Sequence, residues 1–305
     1  MYEVIISRSL SSLDALPPQE LSKINGTDDK GNFVKTSGFI KDLNTYYCSG
    51  KFPKELFEAW DIYKGKHGAI TCQNQRPNIY PEEQIYLVYE QEYGGQAFER
   101  YRFASKYEIL SFLYQLSVAL CRKEIIYNFE HRDLHMGNVL IKKVPHDTTI
   151  LYEGSGKLEN ITILSFGIQI SIIDFSFSRM TIDGAVYFKD LSQQIELFAH
   201  KGDYQYDVYR RMREINNNDW KIYDPYTNVY WLHYLIRNIF DYKLQHIFDL
   251  DAIESHKKNP FPENIEDFNF VEKAANEEYS LIVILTNDNG IQALQKLNAR
   301  DPLGI

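Results

Sequence analysis

Ile6, Leu10, Leu13 and Leu16 recur at helical spacing before Pro17-Pro18. The pattern predicts an amphipathic helix that begins almost at Met1 and ends at the prolines. Aromatic and β-branched residues bounded by Gly, Pro and Asn predict strands over 38–48, 56–60 and 84–90, with a polar loop over 64–81 between the last two. The paired glycines of Glu90-Gln91-Glu92-Tyr93-Gly94-Gly95 then mark a flexible joint. Beyond it the period changes. Ile109, Leu110, Leu113, Leu116, Val118, Leu120 and Cys121 line the apolar face of a long helix over about 105–126. Further helices are expected over 203–215, 226–242 and 265–279, interrupted by short strands over 139–142, 161–166 and 168–173. The plan is α+β, a mostly β part up to residue 92 and a larger, mostly helical part over 93–305.

The chain has 305 residues, a length that suggests roughly two domains. Its 44% hydrophobic content excludes wholesale disorder. A net charge of -9 argues against nucleic acid or an anionic membrane as the main partner and favours a basic one. The three cysteines, Cys48, Cys72 and Cys121, form no C-x-x-C, which fits a reducing compartment better than a disulfide framework. The first residues do not resemble a targeting segment and no apolar run is long enough to span a bilayer, so a soluble intracellular protein is expected.

The chemistry concentrates in His131-Arg132-Asp133-Leu134-His135-Met136-Gly137-Asn138, which fits the kinase catalytic-loop template H-R-D-L-x-x-x-N at every fixed position. Phosphoryl transfer needs a carboxylate to accept the proton of the attacking hydroxyl, and an amide oxygen to help hold a magnesium ion beside the phosphates. Asp133 and Asn138 fill those roles. A second carboxylate has to bind metal from the end of an apolar strand, and Ile172-Ile173-Asp174-Phe175-Ser176 supplies Asp174. Ser176 stands where such triplets usually carry Gly, so positive φ is less accessible there. No A-P-E follows, since no proline lies between Pro145 and Pro225. The expectation is a pre-set activation segment with little freedom for Phe175 to swing.

Five stretches stand out together: Phe129-Glu130-His131-Arg132-Asp133-Leu134-His135, Ser171-Ile172-Ile173-Asp174-Phe175, Gly202-Asp203-Tyr204-Gln205-Tyr206-Asp207-Val208-Tyr209-Arg210, Asn216-Asn217-Asn218-Asp219-Trp220 and Pro225-Tyr226-Thr227-Asn228-Val229-Tyr230-Trp231-Leu232. With them the chain resembles the haspin family of divergent eukaryotic protein kinases. That resemblance implies a protein-kinase-like bilobal fold with a small β-rich lobe (1–92) and a mostly helical lobe (93–305). It also implies ATP and Mg2+ as cofactors, transfer to a threonine of the histone-three tail, a monomer, and work in mitosis on chromosomes in the nucleus, with the cytoplasm as the alternative location. By the same resemblance Gln91 is the gatekeeper, the backbones of Glu92 and Gly94 face adenine, and Leu140 floors the nucleotide site. Asp207 matches the helix-F aspartate that hydrogen-bonds the catalytic-loop backbone. Asp203 matches an acidic residue that receives the basic tail, although Lys201 stands where the family commonly has another acid. His135 reads equally as a buried, satisfied imidazole or a substrate contact.

Glu3 resembles the helix-C glutamate that pairs with a phosphate-holding strand lysine. That lysine precedes the glutamate in kinases, and only Met1 and Tyr2 precede Glu3 here, so an amino-terminally truncated first lobe without its Gly-rich loop is expected. Two other readings compete. A small-molecule phosphotransferase of the aminoglycoside or choline kinase type also uses Asp-Leu-His-x-Gly-Asn and Ile-Asp-Phe, but Arg132 and the 203–231 block disfavour it. A catalytically dead scaffold is the other, opposed by the presence of Asp133, Asn138 and Asp174 together.

Overall fold

The computed structural model describes residues 2–11, 33–71, 75–154 and 158–239. Leu13, Leu16, Cys72, the helix expected over 265–279 and the end of the one expected over 226–242 lie outside the described residues. In chain order the elements are α1 (Tyr2–Ser11), β1 (Phe33–Lys35), β2 (Asp42–Ser49), α2 (Lys54–Thr71), β3 (Ile85–Gln91), β4 (Gln96–Ala97), α3 (Lys106–Tyr127), β5 (Val139–Lys143), β6 (Thr149–Tyr152), β7 (Ile161–Leu164), β8 (Ile168–Ile172), β9 (Arg179–Ile182), β10 (Ala185–Phe188), α4 (Ile195–Ala199), α5 (Tyr204–Ile215) and α6 (Tyr226–Asn238). Among the described residues no helix is long and apolar enough to cross a membrane.

The chain divides into two compact units, one from Met1–Lys41 with Tyr93–Ile305, the other Asp42–Glu92. The expected division grouped 1–41 with 42–92. Burial and strand pairing explain the difference: Ile6 and Leu10 of α1 are fully buried in the core of the larger unit. β1 runs parallel to β6, and Phe39 bridges Ile172.

In the smaller unit β2 and β3 form an antiparallel ribbon. Residues 56–60, expected as a strand, are helical, as are the first residues of the expected loop over 64–81. Aromatic content suggested a strand, but the less exposed positions Phe57, Trp60 and Lys64 are spaced three and four apart, the period of a helix face. Pro53 C=O accepts from the Leu56 and Phe57 amides and so starts the turn. Phe52 packs on Phe57, Tyr80 and Tyr86, with ring centroids 5.2, 6.1 and 5.7 Å away.

The larger unit is built around α3. Ser105 caps its start, with Oγ accepting from the Glu108 amide at 3.2 Å, while Glu108 Oε2 reaches back to the Ala104 amide at 2.7 Å. Ile109, Phe112, Leu116, Val118, Ala119 and Leu120 are all buried. Each large apolar side chain so buried contributes about 1.5–3 kcal/mol. β4, β5 and β8 form a sheet in the order β4-β5-β8. Gln115 of α3 substitutes for a neighbouring strand at the β8 edge: its Nε2 donates to Ile168 C=O at 3.0 Å and its Oε1 accepts from Ile170 N–H at 3.1 Å. β6 lies between β1 and β7 in a second sheet, with Tyr152 fully buried. β9, β10 and α4 were also not anticipated. They are short, so their periodicity is weak; Tyr187 and Phe188 of β10 and Leu197 and Phe198 of α4 are partly buried and pack against the core.

Candidate active site

α3 ends at Asn128, which adopts left-handed φ 47° and donates its N–H to Glu124 C=O. The chain then turns into the segment that carries Asp133. Glu130 and Arg179 exchange both backbone hydrogen bonds at 2.9 Å and so pin the segment to the residues after Asp174. Arg132 has φ 66° and is fully buried. Its guanidinium donates to Glu130 Oε2 at 2.7 Å, Trp220 C=O at 2.6 Å and Ile222 C=O at 2.9 Å, and it lies over the Trp220 ring. A buried charge needs such pairing, here made by the two terminal nitrogens while Nε is buried without a partner. The other Glu130 oxygen accepts from Thr227 Oγ1.

Asn228 on α6 holds the backbone of this segment. Its Oδ1 accepts from the His131 amide at 3.0 Å, and its Nδ2 donates to Phe129 C=O at 2.8 Å. Asp207 was expected in that role. It is instead exposed on α5 and paired with Arg210 on its own helix. The amphipathic pattern of α5 puts Val208, Tyr209 and Met212 inward and leaves Asp207 in water.

The β5–β8 pairing sets Val139 opposite Ile172, and one step on the Ile173 amide donates to Asn138 C=O at 3.0 Å. Asn138 and Asp174 therefore sit at adjoining strand ends. Asn138 Nδ2 donates to Asp133 C=O at 2.8 Å, so the oxygen of that amide is its acceptor atom Oδ1, the one a cation could use. Asp133 is buried, and the Tyr209 hydroxyl donates to its Oδ1. Burial pushes the Asp133 pKa up to about 7, the Tyr209 hydrogen bond pulls it down, and Asp174 raises it further. Asp174 itself has φ 63°, with Oδ1 accepting from the Ser176 amide at 3.1 Å. The left-handed residue of the triplet is thus Asp174, and Ser176 is spared the positive φ that a glycine would serve. Phe175 is buried against Phe39 and His131, and Tyr2 Oη donates to Ser176 C=O at 2.5 Å.

Two imidazoles frame these carboxylates. His131 is fully buried, contacts Ile173 C=O through Nε2 at 3.0 Å, and has its pKa driven down to about 4 by burial. His135 Nδ1 accepts from the Gly137 amide at 3.0 Å, so in the neutral ring the proton is on Nε2, 4.0 Å from Asp133 Oδ1. Burial lowers the His135 pKa, while Asp174, Glu99 and Asp203 raise it. Asp203 is exposed and caps α5 by accepting from the Gln205 amide. Glu3 lies half-buried on α1, its pKa raised by burial and then by Asp174.

Gly94 and Leu140 meet in the larger unit: a Cβ on Gly94 would lie 2.7 Å from Leu140 Cδ1. Gly95 has φ 103°, and a Cβ there would lie 2.1 Å from Ile141 C=O. The glycines expected as a flexible joint allow close approach of the chain to β5. Gln91 and Glu92 belong to the smaller unit, where both are exposed and Gln91 Nε2 donates to Asp42 Oδ1 at 2.8 Å.

Sequence reasoning missed Asn228, Tyr209, Glu124 and Glu99. For Asn228 a signal existed, an uncharged polar residue inside the apolar run of α6. For Tyr209 and Glu124 helical spacing predicts burial but no partner. The donor set suits a hard cation: a carboxylate from Asp174 and an amide oxygen from Asn138 are the ligands Mg2+ takes. Among the described residues no group of three or more His, Cys, Asp or Glu could cage a metal.

Comparison with known proteins agrees with this arrangement. The family model described as a haspin-like kinase domain matches residues 25–260. The chain is 40% identical to the serine/threonine-protein kinase haspin of Bos taurus over 84% of its length, covering 30% of that protein. It is 38% identical to haspin of Mus musculus over 78% of its length, covering 29% of it. A haspin homolog of Drosophila melanogaster is 34% identical over 78% of the chain and 38% of its own length. The chain thus spans about a third of the length of these curated relatives. An α+β, protein-kinase-like fold is that of this family, as the catalytic-loop motif led one to expect. With Asp133, Asn138 and Asp174 converging at the ends of β5 and β8, and the match running through most of the sequence, the chain belongs to the haspin-like kinase domain family.

Proposed function

We propose that this chain is a serine/threonine kinase of the haspin type that transfers the γ-phosphate of ATP to a threonine in the amino-terminal tail of histone three. The observation that carries the reading is the convergence of Asp133, Asn138 and Asp174 through the Ile173–Asn138 backbone bond. Asp133 accepts the substrate hydroxyl proton on Oδ2, because Tyr209 engages Oδ1. Asn138 Oδ1 and Asp174 would hold a divalent cation, which would supply charge neutralisation at the phosphates when bound. The carboxylates of Asp174, Glu99 and Asp203 act together on His135 and favour a basic peptide. Gly94 and Leu140, packed together in the larger unit, lie against adenine. The Glu130–Arg132 pairing and the buried Phe175 support an activation segment that needs no further charge to be set. The chain works as a monomer, on chromosomes in the nucleus.

The test is phosphate transfer from labelled ATP to a histone-three tail peptide, beside the same peptide with Val in place of its threonines, and to choline and aminoglycosides. Transfer to the threonine peptide alone is expected, and Asp133→Asn lowers kcat about a hundredfold or more. Equal rates for Asp133→Asn, or transfer to the small alcohols and none to the peptide, would refute the reading.

A further inference from the structure

Asn228 anchors the catalytic segment, and its own orientation depends on α3. Its side-chain amide has two hydrogens. One goes to Phe129 C=O and the other to Glu124 Oε1, both at 2.8 Å, while its Oδ1 accepts from the His131 amide. Every hydrogen of the amide is spent inside the protein, so the group cannot turn without leaving buried donors unpaired. Glu124 stands in the last turn of α3, almost wholly buried, and its main-chain oxygen takes the Asn128 N–H that ends the helix. One residue thus closes α3 by its backbone and reaches α6 by its side chain, immediately before the segment that carries Asp133.

We propose that Glu124 is a positioning residue for phosphoryl transfer: through Asn228 its carboxyl group holds the backbone at Phe129 and His131 in the register that places Asp133. What Asn228 needs from it is an acceptor and not a charge. The other carboxyl oxygen, Oε2, is buried without a hydrogen-bond partner. Burial, and Glu130 beyond it, push the Glu124 pKa up to about 8 against the Asn228 hydrogen bond that lowers it, so the group is largely neutral at pH 7. Gln can replace such a carboxyl in shape and in its Oε1 acceptor. Met fills the same volume and offers no comparable acceptor.

The catalytic arm of this proposal rests on the kinase reading, and a second arm is independent of it. In the full chain, Glu124→Met lowers kcat about tenfold or more with KM for ATP held within about twofold, and Glu124→Gln stays within about threefold of wild type. Combining Glu124→Met with Asn228→Ala lowers kcat no further than Asn228→Ala alone, since the two act as one unit. Amide hydrogen exchange over 129–133, read on the same proteins, speeds up in Glu124→Met and is unchanged in Glu124→Gln. Additive losses, unchanged exchange in Glu124→Met, or a loss in Glu124→Gln of more than about tenfold overturns the proposal. The last outcome decides even where Glu124→Met does not fold. Wild-type chain without transfer activity counts against the kinase reading, and the exchange pattern then decides the Glu124 contact on its own.

Discussion

The hydroxyl of Tyr209 donates a hydrogen bond to Oδ1 of Asp133, joining α5 to the proposed base across the interior of the larger unit. That bond favours the ionised carboxylate against the burial that pushes its pKa up to about 7. Tyr209→Phe removes it and raises the pKa further. More of the base is then protonated at a given pH, so the acid limb of kcat/KM moves to higher pH. At pH 6.5 the loss is about tenfold, and it shrinks by pH 8.5. A pH–rate profile of the two proteins reads this. Superimposable acid limbs would mean that Tyr209 does not act on the base.

Glu124 makes stability depend on pH in a direction opposite to a paired carboxylate. Its folded pKa, pushed up to about 8, lies above its unfolded value near 4.5. Between those values the folded state binds the extra proton, so stability is lost as pH rises through that window. Glu124→Gln cannot ionise. Its stability therefore improves relative to wild type between pH 5 and pH 8 by about 2–4 kcal/mol. Urea midpoints at the two pH values measure it, and parallel pH dependences would show that Glu124 is ionised in the folded protein.

The Gly94-Gly95 step is intolerant of side chains for two different reasons. A Cβ at Gly95 meets backbone, 2.1 Å from Ile141 C=O, at a φ of 103°. A Cβ at Gly94 meets the ends of Leu140 and Ile40 at 2.7 and 2.9 Å, and those side chains can rotate away. Gly95→Ala costs about 2–3 kcal/mol and Gly94→Ala about 1 kcal/mol. Thermal unfolding followed by circular dichroism orders them. Equal midpoints would mean that the chain at 94–95 shifts freely away from β5.

Arg132 uses the fork of its guanidinium. Two nitrogens reach Glu130, Trp220 and Ile222 at once, at 2.6–2.9 Å and without solvent. Lysine offers a point charge on a stem that cannot span the three acceptors. Arg132→Lys therefore destabilises the chain by about 2–4 kcal/mol. Wild-type stability in chemical unfolding would remove the network from the account of what holds the catalytic segment.

Residues 131–138 and 172–175 were legible as kinase-type motifs because phosphoryl transfer demands particular side chains at short, fixed spacing, and both stretches are contiguous in the chain. α5 and β5 were legible for a related reason: their apolar residues repeat with the period of the element and burial follows it, whereas α3 and β8 are apolar enough to read as elements but are buried on nearly every side. Residues 56–60 went the other way because aromatic content and helical spacing disagreed, and in a short stretch the hydrogen-bonding context after Pro53 decides.

Partnership is what the linear sequence does not carry. Asp207 and Asn228 are both polar residues on helices, and only packing puts Asn228 beside His131, 97 positions earlier, while Asp207 meets water. Tyr209 reaches Asp133 across 76 positions, and Glu124 reaches Asn228 across 104. The sequence by itself determined the kinase class and most elements and nominated Asp133, Asn138 and Asp174, since these depend on residue type and local period. The tertiary structure decided which buried polar groups satisfy one another, because that depends on distances between elements far apart in the chain.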